Sequence, residues 1–353
     1  MSDTPSLRIA VLKGGMSLEH EISLLSAQGV EAALESLGYD VVPVLITRTG
    51  EWQVEGRKKE PALDGLKRLK KSGVDCVFLA LHGANGEDGR IQGMLDLLNM
   101  PYTGSGCSAS ALAMDKPLAK TVVAAAGVQV APHLCFTPSL WQKEKRKLPT
   151  ISKALSFPMV VKAPCQGSSC GLAIVANEKE LAQAIEEIMP MEQRVMVENF
   201  VKGREFTCAV LDLIGSNAME ALAVTEIRPI TSAFFDYHAK YTPGATEEIT
   251  PAPLRAAVTK AIGVMACAAH AALGCSSWSR SDFILGPDGP VWLEVNTLPG
   301  LTPTSLFPQA AAYRGIDYSK LIHLLILDAL VRRGHSAPGS DAASRTASRK
   351  KKA

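Results

Sequence analysis

The sequence predicts a mixed α/β (α+β) protein that opens with a Rossmann-like parallel-sheet domain and continues into mostly antiparallel sheet. Three observations predict it. Short apolar runs at 7–12, 41–46 and 76–81 alternate with helical periodicity, the pattern of strand–helix–strand units. Between 158 and 227 strand-like runs follow one another, which favours antiparallel pairing. A chain of 353 residues with 47% apolar content exceeds one small core, so two or three domains are expected.

The run at 7–12 ends at Lys13-Gly14-Gly15, a buried strand entering a tight turn. Ser17 stands where it can cap the next helix, whose apolar face runs Ile22, Leu25, Gly29, Ala33 and Leu37 until Gly38 stops it. A second helix is expected over 108–126, ended by Gly127. Strands at 158–162 and 172–176 are joined by the small-residue loop Gln166-Gly167-Ser168-Ser169, and more are expected at 194–198, 205–211 and 221–227. Residues 229–253 show no clear periodicity, as a functional lid or a disordered segment would. A helix over 254–273 follows. Strands at 280–285 and 290–295 then flank Gly286-Pro287-Asp288-Gly289, a strong hairpin signal. An amphipathic helix ends near Arg333, and the basic tail at 336–353 is expected to be disordered.

A formal net charge of +2 is close to neutral and argues against a nucleic-acid or membrane surface. Eight cysteines, at 76, 107, 135, 165, 170, 208, 267 and 275, show no zinc-site spacing. With a polar start and no secretion signal, free thiols in a reducing cytoplasm are expected. The apolar run at 321–331 contains His323 and Asp328 and is too short to span a bilayer.

Chemistry gathers at strand ends. Glu294 and Asn296 lie two apart on one strand and therefore share a face, with Asp282 on the partner strand. Converging oxygen ligands of that kind suit magnesium, which combines one or two carboxylates with substrate phosphates. The Gly/Pro/Thr loop after Asn296 can offer N–H groups to an anion, and Ser305 opens a helix. Lys162 precedes Gln166-Gly167-Ser168-Ser169, open either to phosphate contact or to a hairpin that binds nothing. His82-Gly83 through Glu87-Asp88-Gly89 follows a buried strand, where open α/β sheets bind ligands. His82 there, and Glu19-His20-Glu21 in a helix's first turn, suit structural and functional roles alike.

Taken in order, these segments resemble the D-Ala–D-Ala ligase branch of the ATP-grasp superfamily. The matching text is Gly14-Gly15-Met16-Ser17-Leu18-Glu19-His20-Glu21-Ile22-Ser23-Leu24, His82-Gly83 with Gly86-Glu87-Asp88-Gly89, and Gln92-Gly93. It continues through Pro101-Tyr102-Thr103-Gly104, Met114-Asp115-Lys116, Gly167-Ser168-Ser169, Lys240-Tyr241, Arg280-Ser281-Asp282, and 294–305. The resemblance covers residues 8 to about 330. It implies an ATP-grasp fold divided as 1–104, a Rossmann-like substrate-binding domain, 105–198, a central subdomain, and 199–335, a C-terminal subdomain carrying a mobile loop at 229–250.

The resemblance also implies roles. Lys116 and Lys162 would meet ATP phosphates, with Ser168, Ser169 and Lys240 on the same nucleotide; Glu198 and Val201 would lie at the adenine and Glu205 at the ribose. Asp282, Glu294 and Asn296 would hold two magnesium ions, for which manganese can substitute. Glu19 would anchor the first D-alanine's ammonium, with His82 nearby, while Ser305 and Leu306 would receive the second substrate's carboxylate. Arg280 and the Gly300 N–H would stabilise an oxyanion, and Tyr241 would bond Ser168 and Glu19 when the loop closes. The implied activity is ATP-dependent dipeptide formation for bacterial cell-wall peptidoglycan, by a cytoplasmic homodimer. Four departures stand out: Ala163, Asn199, Phe235 and Leu301 replace the usual proline, lysine, tyrosine and methionine, and none is a metal or substrate residue.

Three competing readings differ in testable ways. D-Ala–D-lactate ligase uses the same machinery, but Lys240-Tyr241 fits the dipeptide enzyme better. A dinucleotide-dependent dehydrogenase would explain Gly14-Gly15, yet the full Gly-x-Gly-x-x-Gly is missing. A non-catalytic nucleotide-binding module would not need Arg280, Asp282, Glu294 and Asn296 together.

Overall fold

The computed structural model describes residues 7–144, 154–167, 171–216, 218–230 and 244–333. Within them the first sheet has strand order β3-β2-β1-β4, formed by β1 (Arg8–Gly14), β2 (Asp40–Ile46), β3 (Trp52–Val54) and β4 (Cys76–Leu79). β1 pairs in parallel with both β2 and β4, whereas the short edge strand β3 runs antiparallel to β2. All of β4 and the middle of β1 are buried, as strands covered on both faces must be. Helix α1 (His20–Ser36) packs on β1; α2 (Ala62–Lys71) and α3 (Arg90–Leu97) complete this part.

Ser17 does not cap α1. The N-cap position is Glu19, without a side-chain cap bond, and Ser17 Oγ instead donates to the His82 carbonyl at 2.7 Å. The single helix expected over 108–126 is two, α4 (Cys107–Met114) and α5 (Lys116–Ala125). Asp115 breaks them: its backbone is extended (ψ 91°) and its carboxylate caps the Leu118 N–H at 3.3 Å. Pro117 then sits in the first turn of α5, where its missing N–H costs nothing. This break turns Lys116 and Lys120 inward, where both are buried.

The second sheet, order β5-β8-β6-β7, is antiparallel and comprises β5 (His133–Phe136), β6 (Met159–Lys162), β7 (Leu172–Val175) and β8 (Val195–Asn199). α6 (Pro138–Glu144) follows β5, and α7 (Glu178–Glu192) packs on the sheet through Leu181, Ala184, Ile185 and Ile188. Asn177 caps α7 by accepting the Glu180 N–H at 3.1 Å. The third sheet is likewise antiparallel, order β11-β10-β9-β12-β13, with β9 (Arg204–Asp212), β10 (Glu220–Pro229), β11 (Thr246–Ile249), β12 (Ser277–Gly286) and β13 (Gly289–Asn296). β11 falls inside the stretch that shows no periodicity in the sequence; residues 231–243 lie outside the described residues. The hairpin closes at Gly286 opposite Gly289. α8 (Ala256–Ala272) and α9 (Leu306–Tyr313) pack on this sheet, and α10 (Tyr318–Arg332) returns to β4 and α1 of the first.

That return merges two cores. Apolar residues of β1 and β4 share one cluster with Trp278, Phe307 and the buried face of α10. Trp278, wholly buried, stacks between Phe78 of β4 and Phe307 of α9, with ring centroids 6.5 and 6.4 Å away. Tyr39 Oη meets His323 Nδ1 at 2.7 Å across the same seam. Among the described residues no helix is long and apolar enough to cross a membrane, and seven cysteines are free. Trp278→Ala removes the middle of the aromatic stack. It is expected to cost about 3–5 kcal/mol of stability, read as a lower urea midpoint; an unchanged midpoint would mean that the seam carries no energy.

Candidate active site

The register of the β12–β13 hairpin places Asp282 opposite Glu294 and Arg280 opposite Asn296. Directly opposed residues share a face, so all four side chains emerge together. The Asp282 carboxylate is crowded: it accepts from Thr207 Oγ1 at 2.7 Å, from Arg280 Nε at 3.0 Å and Nη2 at 3.1 Å, and from Asn296 Nδ2 at 3.1 Å. Because Asn296 spends its amide N–H there, its Oδ1 is left as an acceptor. Glu294 Oε2 lies 3.1 Å from Lys116 Nζ, which also donates to the Gln166 carbonyl at 2.8 Å. Burial pushes the Lys116 ammonium down, but Glu294 beside it more than compensates and holds it above its ordinary value. Arg280 is raised the same way by Asp282, against burial.

Lys116, Arg280, Glu294 and Asn296 line a cavity of about 160 Å³. That is smaller than the ~300 Å³ where drug-sized sites begin and suits a ligand of amino-acid size. Glu19, His82 and Gly83 of the first domain and Gly300, Ser305 and Leu306 of the segment after β13 line it as well. Gly83 adopts φ +68°, and a Cβ there would fall 2.6 Å from Glu19 Oε2. Only glycine permits both the turn and that carboxylate. A Cβ on Gly167 would meet the same oxygen at 3.4 Å, so Glu19 sits between the first domain's loop and the hairpin turn after β6. Ser305 is the N-cap of α9, and its Oγ accepts the Thr302 N–H at 3.1 Å.

Of the residues expected at the nucleotide, Lys116 lines this cavity, whereas Lys162 and Glu198 are not part of its lining. Lys162 Nζ lies 2.5 Å from Glu198 Oε1, and Lys120 Nζ lies 3.0 Å from Glu198 Oε2. Both Glu198 oxygens therefore face lysines, where the resemblance had implied adenine contact. Burial alone would raise the Glu198 carboxyl; Lys120 and Lys162 override it and hold it at about 2. Val201 follows β8, and Glu205 stands at the start of β9 opposite Ile227 and Ile284. Ser168, Ser169, Lys240 and Tyr241 lie outside the described residues.

Comparison with known proteins identifies the family. Residues 8–73 and 55–105 match the model of the D-ala D-ala ligase N-terminus, and 122–327 match that of the D-ala D-ala ligase C-terminus. The chain belongs to the D-alanine–D-alanine ligase family. It is 42% identical over 326 residues to the D-alanine–D-alanine ligase of Syntrophobacter fumaroxidans, covering 92% of this chain and 97% of the relative. The corresponding enzyme of Desulfotalea psychrophila is 44% identical, with 91% and 94% covered. Among solved structures, the ligase from Coxiella burnetii superposes with a TM-score of 0.77 at 30% identity, covering 99% of each chain. VanG D-Ala:D-Ser ligase from Enterococcus faecalis gives 0.77 at 33% identity, with 91% of this chain and 99% of that one covered. The Bacillus anthracis ligase complexed with ATP gives 0.75 at 31% identity, with 93% and 99% covered. The fold is accordingly ATP-grasp.

For a member of this ligase family the donor set is informative. Among the described residues no cluster of three or more His, Cys, Asp and Glu side chains gathers to hold a metal. Two carboxylates and one amide oxygen fit a hard cation that completes its shell with phosphate oxygens and water. Three polar residues stand out here that sequence reasoning assigned no role: Lys120, Glu248 and Glu87. Lys120 had a signal, its spacing four residues after Lys116 on one helix face. Glu248 lies on β11 and lines the cavity, bonded by Gln309 Nε2 at 2.7 Å. Nothing local marked it. Glu87 is in a quoted motif, but its bond from the Leu298 N–H depends on tertiary packing.

The Glu198 carboxyl makes stability depend on pH in a definite direction. Its value of about 2 is below the ordinary 4.5, so its stabilisation is present above pH 4.5 and lost as pH falls toward 2. Glu198→Gln leaves two buried lysines unpaired, and is expected to be about 3–5 kcal/mol less stable than wild type at pH 7. Urea unfolding across pH should show that gap narrowing between pH 4.5 and 2; a gap constant with pH would refute the pairing.

Proposed function

We propose that this chain joins two molecules of D-alanine, coupled to hydrolysis of ATP to ADP and phosphate. The observation that carries this reading is the cavity itself. Its lining brings together one acidic residue of the first domain, Glu19, the charged set Arg280, Glu294 and Lys116, and the Gly300 and Ser305 segment. An amino-acid ammonium suits the first of these and a carboxylate the last. The reading assigns residues 1–104, 105–198 and 199–335 to substrate, central and C-terminal units, in a cytoplasmic homodimer serving peptidoglycan synthesis.

In the first step the carboxylate of one D-alanine attacks the γ-phosphorus of ATP. The bond to the β-phosphate oxygen breaks, ADP leaves and an acyl phosphate forms. Little covalent chemistry falls to the protein, so positioning and charge neutralisation dominate. Lys116 and Lys162 supply charge toward the phosphates; Ser168, Ser169 and Lys240 add contacts, with Glu198, Val201 and Glu205 framing the nucleoside. Asp282, Glu294 and Asn296 would hold two magnesium ions, or manganese, which when bound neutralise phosphate oxygens. In the second step the amine of the other D-alanine, anchored by Ser305 and Leu306, attacks the acyl carbon and gives up a proton. Arg280 and the Gly300 N–H stabilise the tetrahedral oxyanion, which collapses by breaking the carbon–oxygen bond to phosphate. On this reading Tyr241 would bond Ser168 and Glu19 when loop 229–250 closes against water that would hydrolyse the acyl phosphate.

The direct test is ADP release with product analysis across D-alanine, L-alanine, D-serine and D-lactate. D-Alanyl-D-alanine is the expected product. Ester or D-Ala–D-Ser formation in its place would move the chain to another branch of the family, and ATP binding with no ADP released on adding D-alanine would favour a non-catalytic nucleotide-binding module. Glu294→Gln is expected to abolish turnover with the fold retained by circular dichroism, because the variant removes a charge that the cations share. Near-normal ligation by the folded variant would sink the metal assignment. Arg280→Met should lower turnover about a hundred- to a thousandfold, the typical loss for one oxyanion donor, while ATP binding persists. A collapse of nucleotide affinity would make Arg280 a phosphate ligand instead.

A further inference from the structure

The backbone of Leu298 is gripped from both sides by the loop that follows β4. Its N–H donates to Glu87 Oε1 at 3.0 Å, and its carbonyl meets His82 Nδ1 at 3.0 Å. A carbonyl can only accept, which assigns the His82 proton to Nδ1 and leaves Nε2 to accept from Ser26 Oγ at 2.9 Å. Burial holds the imidazole below its usual range, consistent with this neutral form. Ser26 Oγ also receives the Leu301 N–H at 3.4 Å. The other Glu87 oxygen, Oε2, accepts the Gly83 N–H at 2.8 Å. One carboxyl group, pushed up to about 8 by burial and by the nearby Glu19, therefore ties the turn beside Glu19 to the backbone two residues before Gly300.

Each of these bonds crosses from the N-terminal domain to the loop after β13 or fixes the loop that makes the crossing. The separation along the chain, 211 residues for Glu87 and Leu298, means no local geometry imposes it. Glu87 lines the cavity, but its oxygens are committed to backbone N–H groups. We propose that Glu87 is a positioning residue for the second half-reaction: through Leu298 it sets the 298–300 turn so that the Gly300 N–H meets the oxyanion of a substrate held at Glu19. The proposal rests on the ligase reading above. A displaced turn leaves the first half-reaction intact and slows the second, so the acyl phosphate survives long enough to meet water.

Phosphate released per dipeptide formed reads this directly, alongside the KM for ATP and the thermal midpoint. Removing the acceptor from two buried N–H groups in Glu87→Ala should lower dipeptide turnover about tenfold to a hundredfold, with phosphate per dipeptide rising severalfold. The KM for ATP should stay within about twofold, since binding of nucleotide is not at issue. Glu87→Gln keeps one carbonyl oxygen as acceptor and should recover part of the loss; it decides the matter alone if the alanine variant fails to fold. A phosphate-to-dipeptide ratio equal to wild type in the folded variants would overturn the proposal. So would a loss confined to weaker binding of the first D-alanine, which would make Glu87 a substrate contact. Wild-type protein that makes no dipeptide at all would overturn both this proposal and the ligase reading, whereas an active wild type with unchanged ratios in the variants overturns only this one.

Discussion

The registered pairing of β12 with β13 is the constraint from which the candidate site follows. Arg280, Asp282, Glu294 and Asn296 meet on one face because each strand alternates and the two strands oppose these positions. A slip of one residue would send the charged set into the core. The opposite face prevents it: Phe283, Val295 and Trp292 are buried, and Trp292 Nε1 donates to Ser281 Oγ at 3.1 Å. The irregularity between Asp282 and Phe283, where Asp282 pairs with Glu294 but Phe283 with Trp292, leaves Leu293 as the extra residue. A bulge of this kind re-aims the side chains beside it.

Burying so many charges is tolerable only in pairs. Glu294 has Lys116, Asp282 has Arg280, and Glu198 has Lys120 and Lys162. Two of those lysines come from one face of α5, four residues apart, and the Asp115 break aims that face inward. The same pairing conditions the chemistry. A cation taken up at Glu294 must share it with, or displace, an ammonium 3.1 Å away. A phosphate that draws Lys116 toward itself would release Glu294 for such a cation.

Much of this was legible in the sequence because it rested on local chemistry. The apolar runs that became β1, β2 and β4 and the Pro-Asp-Gly turn of the β12–β13 hairpin depend on neighbouring residues only. The break at Asp115 was also written locally, in a capping residue followed by Pro117, but the helical pattern running through Ala119 and Val123 masked it. α7 carries a clear apolar face at Leu181, Ile185 and Ile188 and went unread beside the strands around it. β11 was hidden for another reason: Thr246, Glu247 and Glu248 alternate without an apolar face, because the strand pairs at the sheet edge with β10. Lys120 on Glu198 and Glu87 on Leu298 were out of reach. Their partners lie 78 (198 minus 120) and 211 residues away, and only the folded chain brings them together.

The distribution of cores explains which parts of the site are rigid with respect to each other. The first sheet and the hairpin-bearing sheet share apolar packing through Trp278 and α10, so Glu19, His82, Arg280 and Glu294 are fixed in one frame. The second sheet has its own core around Val161, Ile185 and Val197. Polar contacts figure among its ties to the rest: Arg194 to Asp115 at 2.6 Å, Lys116 to the Gln166 carbonyl, and the Lys120–Glu198 pair. Shifting a close-packed core forfeits many contacts at once, whereas an ion pair can exchange one partner for another at modest net cost. The unit that carries Lys162 and the Gln166–Gly167 turn is thus joined to the substrate frame by interactions that a polyanionic nucleotide can replace in kind. An arriving triphosphate can reset that junction without opening either core, and the frame holding the amino-acid site stays as it was.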